Sequence, residues 1–308
     1  MSNSHFRISV PATTANLGPG FDTIGVALER RIFADVDVLA AGAPTEFAFV
    51  DTPYKPTHDG LRNEITRGMT RVLGRNAPPL HVRVENHIPL GKGLGGSAAG
   101  AVLGVAIGAE LAEKRPDEGT LTQLITEIEG HPDNGIPALL GGIVIAVQNP
   151  DRPPSYARFD PPPGLYAVVV VPDFAMPTAE ARAVLPTSYS RRDAVYNIQR
   201  ASLLAAALAS GKLDLLHIAM ADRIHQPYRA NFVPGLLEMI ALEMPGLFGV
   251  ALSGAGPSVV AFVDRLDHPA GTALQEIFRL HGIESVVLPH SIAANGVLLE
   301  TETAWRNA

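Results

Sequence analysis

Phe6, Ile8 and Val10 alternate with Arg7 and Ser9, the period-two pattern of a strand with one face buried. The pattern breaks at Pro11 to Asp22, PATTANLGPGFD, where Gly18, Pro19 and Gly20 predict an irregular loop carrying Asn16 and Asp22. Alternation resumes in strands near Ile24 to Leu28, Phe33 to Leu39 and Glu46 to Val50. Asp35 and Asp37 alternate with Val36 and Val38, which marks a solvated strand face and not a metal site. The period lengthens from Asn63 to Leu73, where Ile65, Met69, Val72 and Leu73 share a helix face. Leu80, Val82 and Val84 restore the strand period just before a glycine run, and an alanine-rich apolar helix follows from Ser97 to about Lys114. The next helix carries Leu121, Leu124, Ile125 and Ile128 on one side. Thr120 and Gln123 have capping-box spacing at its start, and it stops at Glu129-Gly130. A polar tetrad, His131-Pro132-Asp133-Asn134, leads into an apolar strand from Gly142 to Val147.

Prolines between Asn149 and Gly164 predict a linker without regular structure and divide the chain into residues 1–160 and 161–308. Beyond it come a strand, Leu165 to Val171, a short helix, Thr178 to Leu185, and a helical block from about Arg191 to Met244. Strands Leu247 to Leu252 and Val259 to Val263 flank the turn SGAGPS, residues 253–258. A helix from Pro269 to His281 and a strand from Glu284 to Leu288 close the order. Strand, helices, strand, strand, helix, strand is the sequence of a split βαβ, or ferredoxin-like, unit enlarged by extra helices, so the class is α+β.

The glycine run Pro89 to Gly104, PLGKGLGGSAAGAVLG, is the candidate anion site. Gly91, Gly93, Gly95 and Gly96 let the backbone approach a ligand with N–H groups turned inward. Ser97, Ala98 and Ala99 then open a helix whose free N–H groups favour negative charge. Lys92 lies inside the glycines and no Gly-Lys-Ser/Thr closes the run, so it is not a Walker loop. The G-x-G-x-x-G match at Gly91, Gly93 and Gly96 lacks a dinucleotide fold's flanking strand and later acid, and no HRD or DFG triplet supports a protein kinase. Glu129 ends its helix at the negative dipole end, so something other than the helix compensates its charge. The tetrad 131–134 reads equally as a polar turn or as part of a site.

Composition narrows the class. A formal charge of −7 without a clustered basic run argues against nucleic-acid binding, and the absence of cysteine excludes disulfides, thiol nucleophiles and thiolate zinc sites. The ten histidines form no recognisable metal spacing, the first residues lack a signal-peptide layout, and the apolar runs are too short to span a bilayer. The expectation is a cytoplasmic protein with no membrane contact.

PATTANLGPGFD resembles the PATSANLGPGFD signature of the homoserine kinases, PLGKGLGGSAAG the phosphate loop of the GHMP kinases, and SGAGPS their third motif. Glu129 to Asn134 and Pro227-Tyr228-Arg229 are similar to the homoserine branch in particular, and the likeness covers essentially the whole chain. The resemblance implies a two-domain GHMP kinase fold, an N-terminal ribosomal-protein-S5-domain-2-like α/β domain that binds ATP and a C-terminal ferredoxin-like domain. It implies phosphorylation of the L-homoserine side-chain hydroxyl by ATP for threonine synthesis. By the same resemblance Pro89, Leu90, Gly91, Lys92, Gly93, Leu94, Gly95, Gly96, Ser97 and Ala98 hold the nucleotide phosphates and Asn63 contributes to the adenine pocket. Ser97 and Glu129 hold Mg²⁺. Arg182 and Arg229 match the carboxylate-binding arginines, with a planar fork for two oxygens. Asp22 and Asp133 fit the ammonium and the acceptor hydroxyl. Asn16, His131, Thr178 and Gly256 complete the acceptor site, and Asp133, Asn16 and Arg182 are its catalytic candidates. Asp133 either takes a proton or only orients the substrate, and Lys92 either touches a phosphate or is solvated. The loop departs from the family's Gly-Ser-Ser by having Gly95-Gly96-Ser97. Rival readings are a GHMP kinase for mevalonate or a sugar, and an inactive binding relative. Oligomeric state stays open between monomer and homodimer.

Overall fold

The computed structural model describes residues 5–50, 58–74 and 77–301. Its first sheet is built on a long antiparallel pair, β1 (His5–Asn16) and β2 (Gly20–Val38). The loop expected over Pro11 to Asp22 shrinks to a turn at residues 17–19, and the two strands expected after it are one. Register shifts between Pro11 and Ala12 and between Ala15 and Asn16 absorb the irregularity, so the strand bends at its proline without ending. β3 (Glu46–Val50) follows, then α1 (His58–Leu73) and β4 (Leu80–Asn86), which pairs parallel with β3 and antiparallel with β2.

Against this sheet lies α2 (Gly96–Leu111), buried on almost every side because the sheet covers one flank and α1 the other. The two helices meet backbone to backbone: a Cβ at Gly104 would stand 2.0 Å from the Ile65 carbonyl oxygen, and one at Gly68 2.3 Å from that of Ala101. α3 (Glu118–Glu129) starts from Asp117, whose side chain accepts the Thr120 N–H at 2.7 Å. That replaces the capping box expected at Thr120 and Gln123, because an aspartate one residue before the helix is the better-placed acceptor. The polar tetrad then opens a short helix that the alternation missed, α4 (Gly135–Leu140), before β5 (Ile143–Val147). The expected linker contains a strand, β6 (Ser155–Phe159), antiparallel to β5. Its five residues hold no proline; the prolines bound the strand at both ends and do not interrupt its hydrogen bonds.

The second sheet begins with β7 (Tyr166–Pro172), then α5 (Thr178–Ala183), α6 (Arg191–Ser210), α7 (Leu216–Ala219), α8 (Gln226–Arg229) and α9 (Leu236–Ile240). β8 (Leu247–Leu252), β9 (Val259–Val263), α10 (Ala270–Leu280) and β10 (Ser285–Ser291) complete an antiparallel sheet of order β10-β7-β9-β8. This is the ferredoxin-like order, with the extra helices inserted between β7 and β8. The chain then crosses back: Ala293 bonds Ala27 and Gly142, and β11 (Leu298–Thr301) adds an edge strand to β1. A cut at residue 160 separates the two sheets except for this returning strand. Among the described residues no helix is long and apolar enough to cross a membrane.

Candidate active site

The glycine loop joins β4 to α2, and Gly91, Gly93 and Gly95 all have positive φ, 69°, 79° and 65°. At the second and third of these a side chain would collide with neighbouring segments: a Cβ at Gly93 would meet the Ser253 carbonyl at 2.2 Å, and one at Gly95 the Thr13 hydroxyl at 1.9 Å. The end of β1, the glycine loop and the turn between β8 and β9, distant in sequence, are thereby fastened together. The Thr13 N–H donates to Leu94 O at 3.2 Å, the Gly254 N–H to Ala15 O at 3.0 Å and the Ser258 N–H to Lys92 O at 3.2 Å. The Ser253 hydroxyl donates to Gly93 O at 2.7 Å and lies 2.9 Å from that of Thr14.

They enclose one cleft of about 330 Å³. One wall is Gly91, Gly93, Gly95, Gly96, Ser97 and Ala98, with Arg67 and Glu129 behind. Ser97 Oγ stands 3.5 Å from Glu129 Oε1. Burial pushes the Glu129 carboxyl up to about 7 against the opposing pull of His131. A hydroxyl beside a poorly compensated carboxylate, at the start of a helix and next to an anion-binding loop, fits a hard divalent cation.

The facing wall carries paired charges. Asn16, at φ 70°, donates to Gly254 O at 2.9 Å and accepts the Asp22 N–H at 2.9 Å, which fixes Asp22 at φ 54°. Arg182 on α5 grips Asp22 through both ends of its guanidinium, at 3.0 and 2.7 Å, and that bond holds its pKa above the ordinary value. Asp133 is 1% exposed; its Oδ1 accepts from His131 Nδ1 and, at 3.3 Å, from Asn134. Burial opposes charge on His131, yet Asp133 and Asp22 hold its pKa above the usual histidine value. Asp22, His131 and Asp133 each bring a ligand atom within 4.8 Å of the others, which sets two carboxylates around one imidazole. Arg229 is 1% exposed: Nε donates to Ala181 O at 3.0 Å, and Nη1 lies 3.2 Å from His225 Nδ1 and 3.3 Å from Gly254 O. Burial and nearby Arg182 lower its pKa to about 10.

The family GHMP kinases N terminal domain matches residues 63–142, and GHMP kinases C terminal matches residues 204–276. The chain is 42% identical to the homoserine kinase of Solibacter usitatus, covering 96% of this chain and 97% of that one. It is 35% identical to the homoserine kinase of Schizosaccharomyces pombe, covering 96% and 98%. The chain belongs to the homoserine kinase family. A crystal structure of homoserine kinase from Cytophaga hutchinsonii superposes with a TM-score of 0.83 at 27% identity, over 97% of this chain and 98% of that one. The GHMP kinase two-domain fold expected from the motifs is therefore the fold of this family member.

Several expected site residues lie elsewhere. Lys92 turns away from the cleft: its ammonium donates to Pro172 O at 2.8 Å and Phe174 O at 2.7 Å, and burial lowers its pKa. Half-buried, it ties the glycine loop to the end of β7 and the residues just after it. Asn63 is exposed on α1, where Arg67, one turn on, is the helix's residue at the cleft. Pro89, Leu90 and Leu94 shape the loop without lining the cleft, and Leu94 is buried under it. Gly256 lines the cleft at φ 94°. Thr178 opens α5, and its side chain lies outside the described part of the structure. The arginine forks are engaged within the protein, Arg182 by Asp22 and Arg229 by Ala181, His225 and Gly254, so neither is a free bidentate clamp. Asp222 and His225, missed in the sequence, stand beside Arg229, while Gln226 accepts the Leu252 N–H at 2.8 Å. The available signal was an aspartate shortly before a helix start; it accepts the N–H groups of the second, third and fourth residues after it.

Proposed function

We propose that the chain transfers the γ-phosphoryl group of ATP to the side-chain hydroxyl of L-homoserine, giving O-phospho-L-homoserine and ADP. One observation carries this reading. A single cleft has a glycine loop and helix start on one wall and, on the other, an arginine and two carboxylates spaced for a zwitterion. Phosphoryl transfer asks the protein mainly for position and charge neutralisation. The backbone N–H groups of residues 91–97 bind the phosphates. Ser97 and Glu129 would hold Mg²⁺, which when bound neutralises phosphate charge. Asp22 and Asp133 receive the ammonium and hydroxyl of the acceptor; Asp133 Oδ1 is taken by His131 and Asn134, so Oδ2 is the oxygen left for it. Arg182 and Arg229 receive the carboxylate. The internal Asp22–Arg182 pair mimics the zwitterion it gives way to, which favours acceptors bearing both charges.

An acceptor panel tests the assignment. In a coupled ADP assay homoserine is expected to exceed serine, threonine, mevalonate and galactose in kcat/KM, and preference for mevalonate or galactose would replace the reading with another GHMP kinase activity. Arg229→Lys is expected to lower kcat/KM for homoserine roughly ten- to a hundredfold, because a point donor in a buried site cannot replace the planar group. ATP affinity measured without homoserine stays unchanged. A neutral substitution contradicts the carboxylate role.

A further inference from the structure

His225 is fully buried where three parts of the acceptor wall meet. It directly precedes α8, four residues before Arg229. Its backbone is fixed from behind, since Asp222 accepts the N–H groups of Ile224, His225 and Gln226 at 2.8, 2.9 and 2.7 Å and is itself held by Asn197 at 2.7 Å. Its ring stacks on Phe21 with centroids 5.2 Å apart, and the centre of the same phenyl ring lies 5.4 Å from the Arg229 guanidinium.

The two ring nitrogens have opposite partners. Arg229 Nη1 is 3.2 Å from Nδ1, and Gly18 O is 2.7 Å from Nε2. A guanidinium only donates and a carbonyl only accepts, so Nδ1 is bare and Nε2 carries the proton. Both contacts select one neutral tautomer, and burial favours the neutral ring further although Asp222 lies 3.6 Å from Nε2. Gly18 is the turn between β1 and β2, four residues before Asp22. A Cβ there would stand 1.9 Å from the Met220 carbonyl, so the turn is pressed onto the segment that carries His225.

We infer that neutral His225 is a positioning residue that sets the affinity for the acceptor carboxylate by locking the Arg229 guanidinium and the Gly18 turn in one register. It rests on the reading that Arg229 binds that carboxylate. Arg229 Nε and Nη1 are held by the protein, which leaves Nη2 for the ligand, and a single contacting nitrogen depends closely on how the group is rotated.

The test compares His225→Leu, which removes both hydrogen bonds, with His225→Asn, whose side-chain oxygen replaces Nδ1. Arg229→Met and the His225→Leu, Arg229→Met double variant complete a cycle. His225→Leu is expected to raise KM for homoserine roughly tenfold or more, with nucleotide affinity by calorimetry unchanged. His225→Asn is expected to restore most of the loss. Adding His225→Leu to Arg229→Met is expected to change homoserine KM no further, because the histidine acts through the arginine. Should the leucine protein fail to fold, His225→Gln, which keeps only the Gly18 contact, takes its place with the same expected rise. Parallel loss of nucleotide and homoserine affinity, no rescue by asparagine, or independent effects in the double variant would overturn the inference. If Arg229→Met raises KM and His225→Leu does not, the inference alone fails. An unchanged KM in Arg229→Met removes the carboxylate reading and the inference with it.

Discussion

Glu129→Gln is expected to lower kcat by roughly two to four orders of magnitude, the scale of a lost metal contribution to phosphoryl-charge stabilisation. The same change is expected to raise the melting temperature of the ligand-free protein at pH 8. The carboxyl's pKa rises from 4.5 to about 7 on folding, chiefly through burial. Between those values the folded state binds more protons than the unfolded one, so this group's contribution to stability falls as pH rises through about 7. Above that the wild-type protein buries a charge that glutamine lacks; at about pH 4 and below the carboxyl is largely neutral in both the folded and the unfolded state and the melting temperatures converge. Kinetics with excess Mg²⁺ and melting curves at the two pH values check both halves. Near-normal turnover would remove Glu129 from the metal site, and a lower melting temperature at pH 8 would contradict the desolvated carboxylate.

Asp133→Asn is expected to reduce kcat/KM for homoserine by about a hundredfold or more, the range for a positioned carboxylate that handles the reacting hydroxyl. Asparagine keeps the volume, but its amide must turn a donor either toward His131 Nδ1, itself a donor to Asp133, or toward the substrate. Asp133 is nine-tenths buried and more, so water does not repair the mismatch. ATP affinity measured without homoserine is expected to stay within about twofold, since the glycine loop proposed to hold the phosphates forms the opposite wall. Equal losses for both substrates would mark a folding defect and withdraw the acceptor role.

The motifs were legible because glycine, proline and charge spacing report on backbone needs that are local. Gly91, Gly93 and Gly95 do take positive φ, and SGAGPS is the turn between β8 and β9. The four-stranded order of the second half followed from its strand and helix pattern. What failed depended on partners far along the chain. β1 and β2 persist through Pro11 and the glycines because each pairs with the other across register shifts. β6 exists because β5 supplies an edge, and β11 because β1 does. Lys92 reads equally as a phosphate contact or a solvated cation, because the Pro172 and Phe174 carbonyls that engage it lie far along the chain. The arginines could be named as carboxylate partners, but their present engagement with Asp22, Ala181, His225 and Gly254 is tertiary. No periodicity carries such information.

The central claim is direct transfer across one cleft from the glycine loop to a zwitterionic alcohol. Phosphorus NMR of the protein with ATP, Mg²⁺ and L-homoserine tests it most directly. The γ-phosphate resonance is expected to disappear as a phosphomonoester of the homoserine hydroxyl grows in step with ADP, while 3-aminopropanol and 4-hydroxybutyrate, each lacking one charge, give little product. Release of inorganic phosphate alone, or equal phosphorylation of the single-charge analogues, would contradict the account.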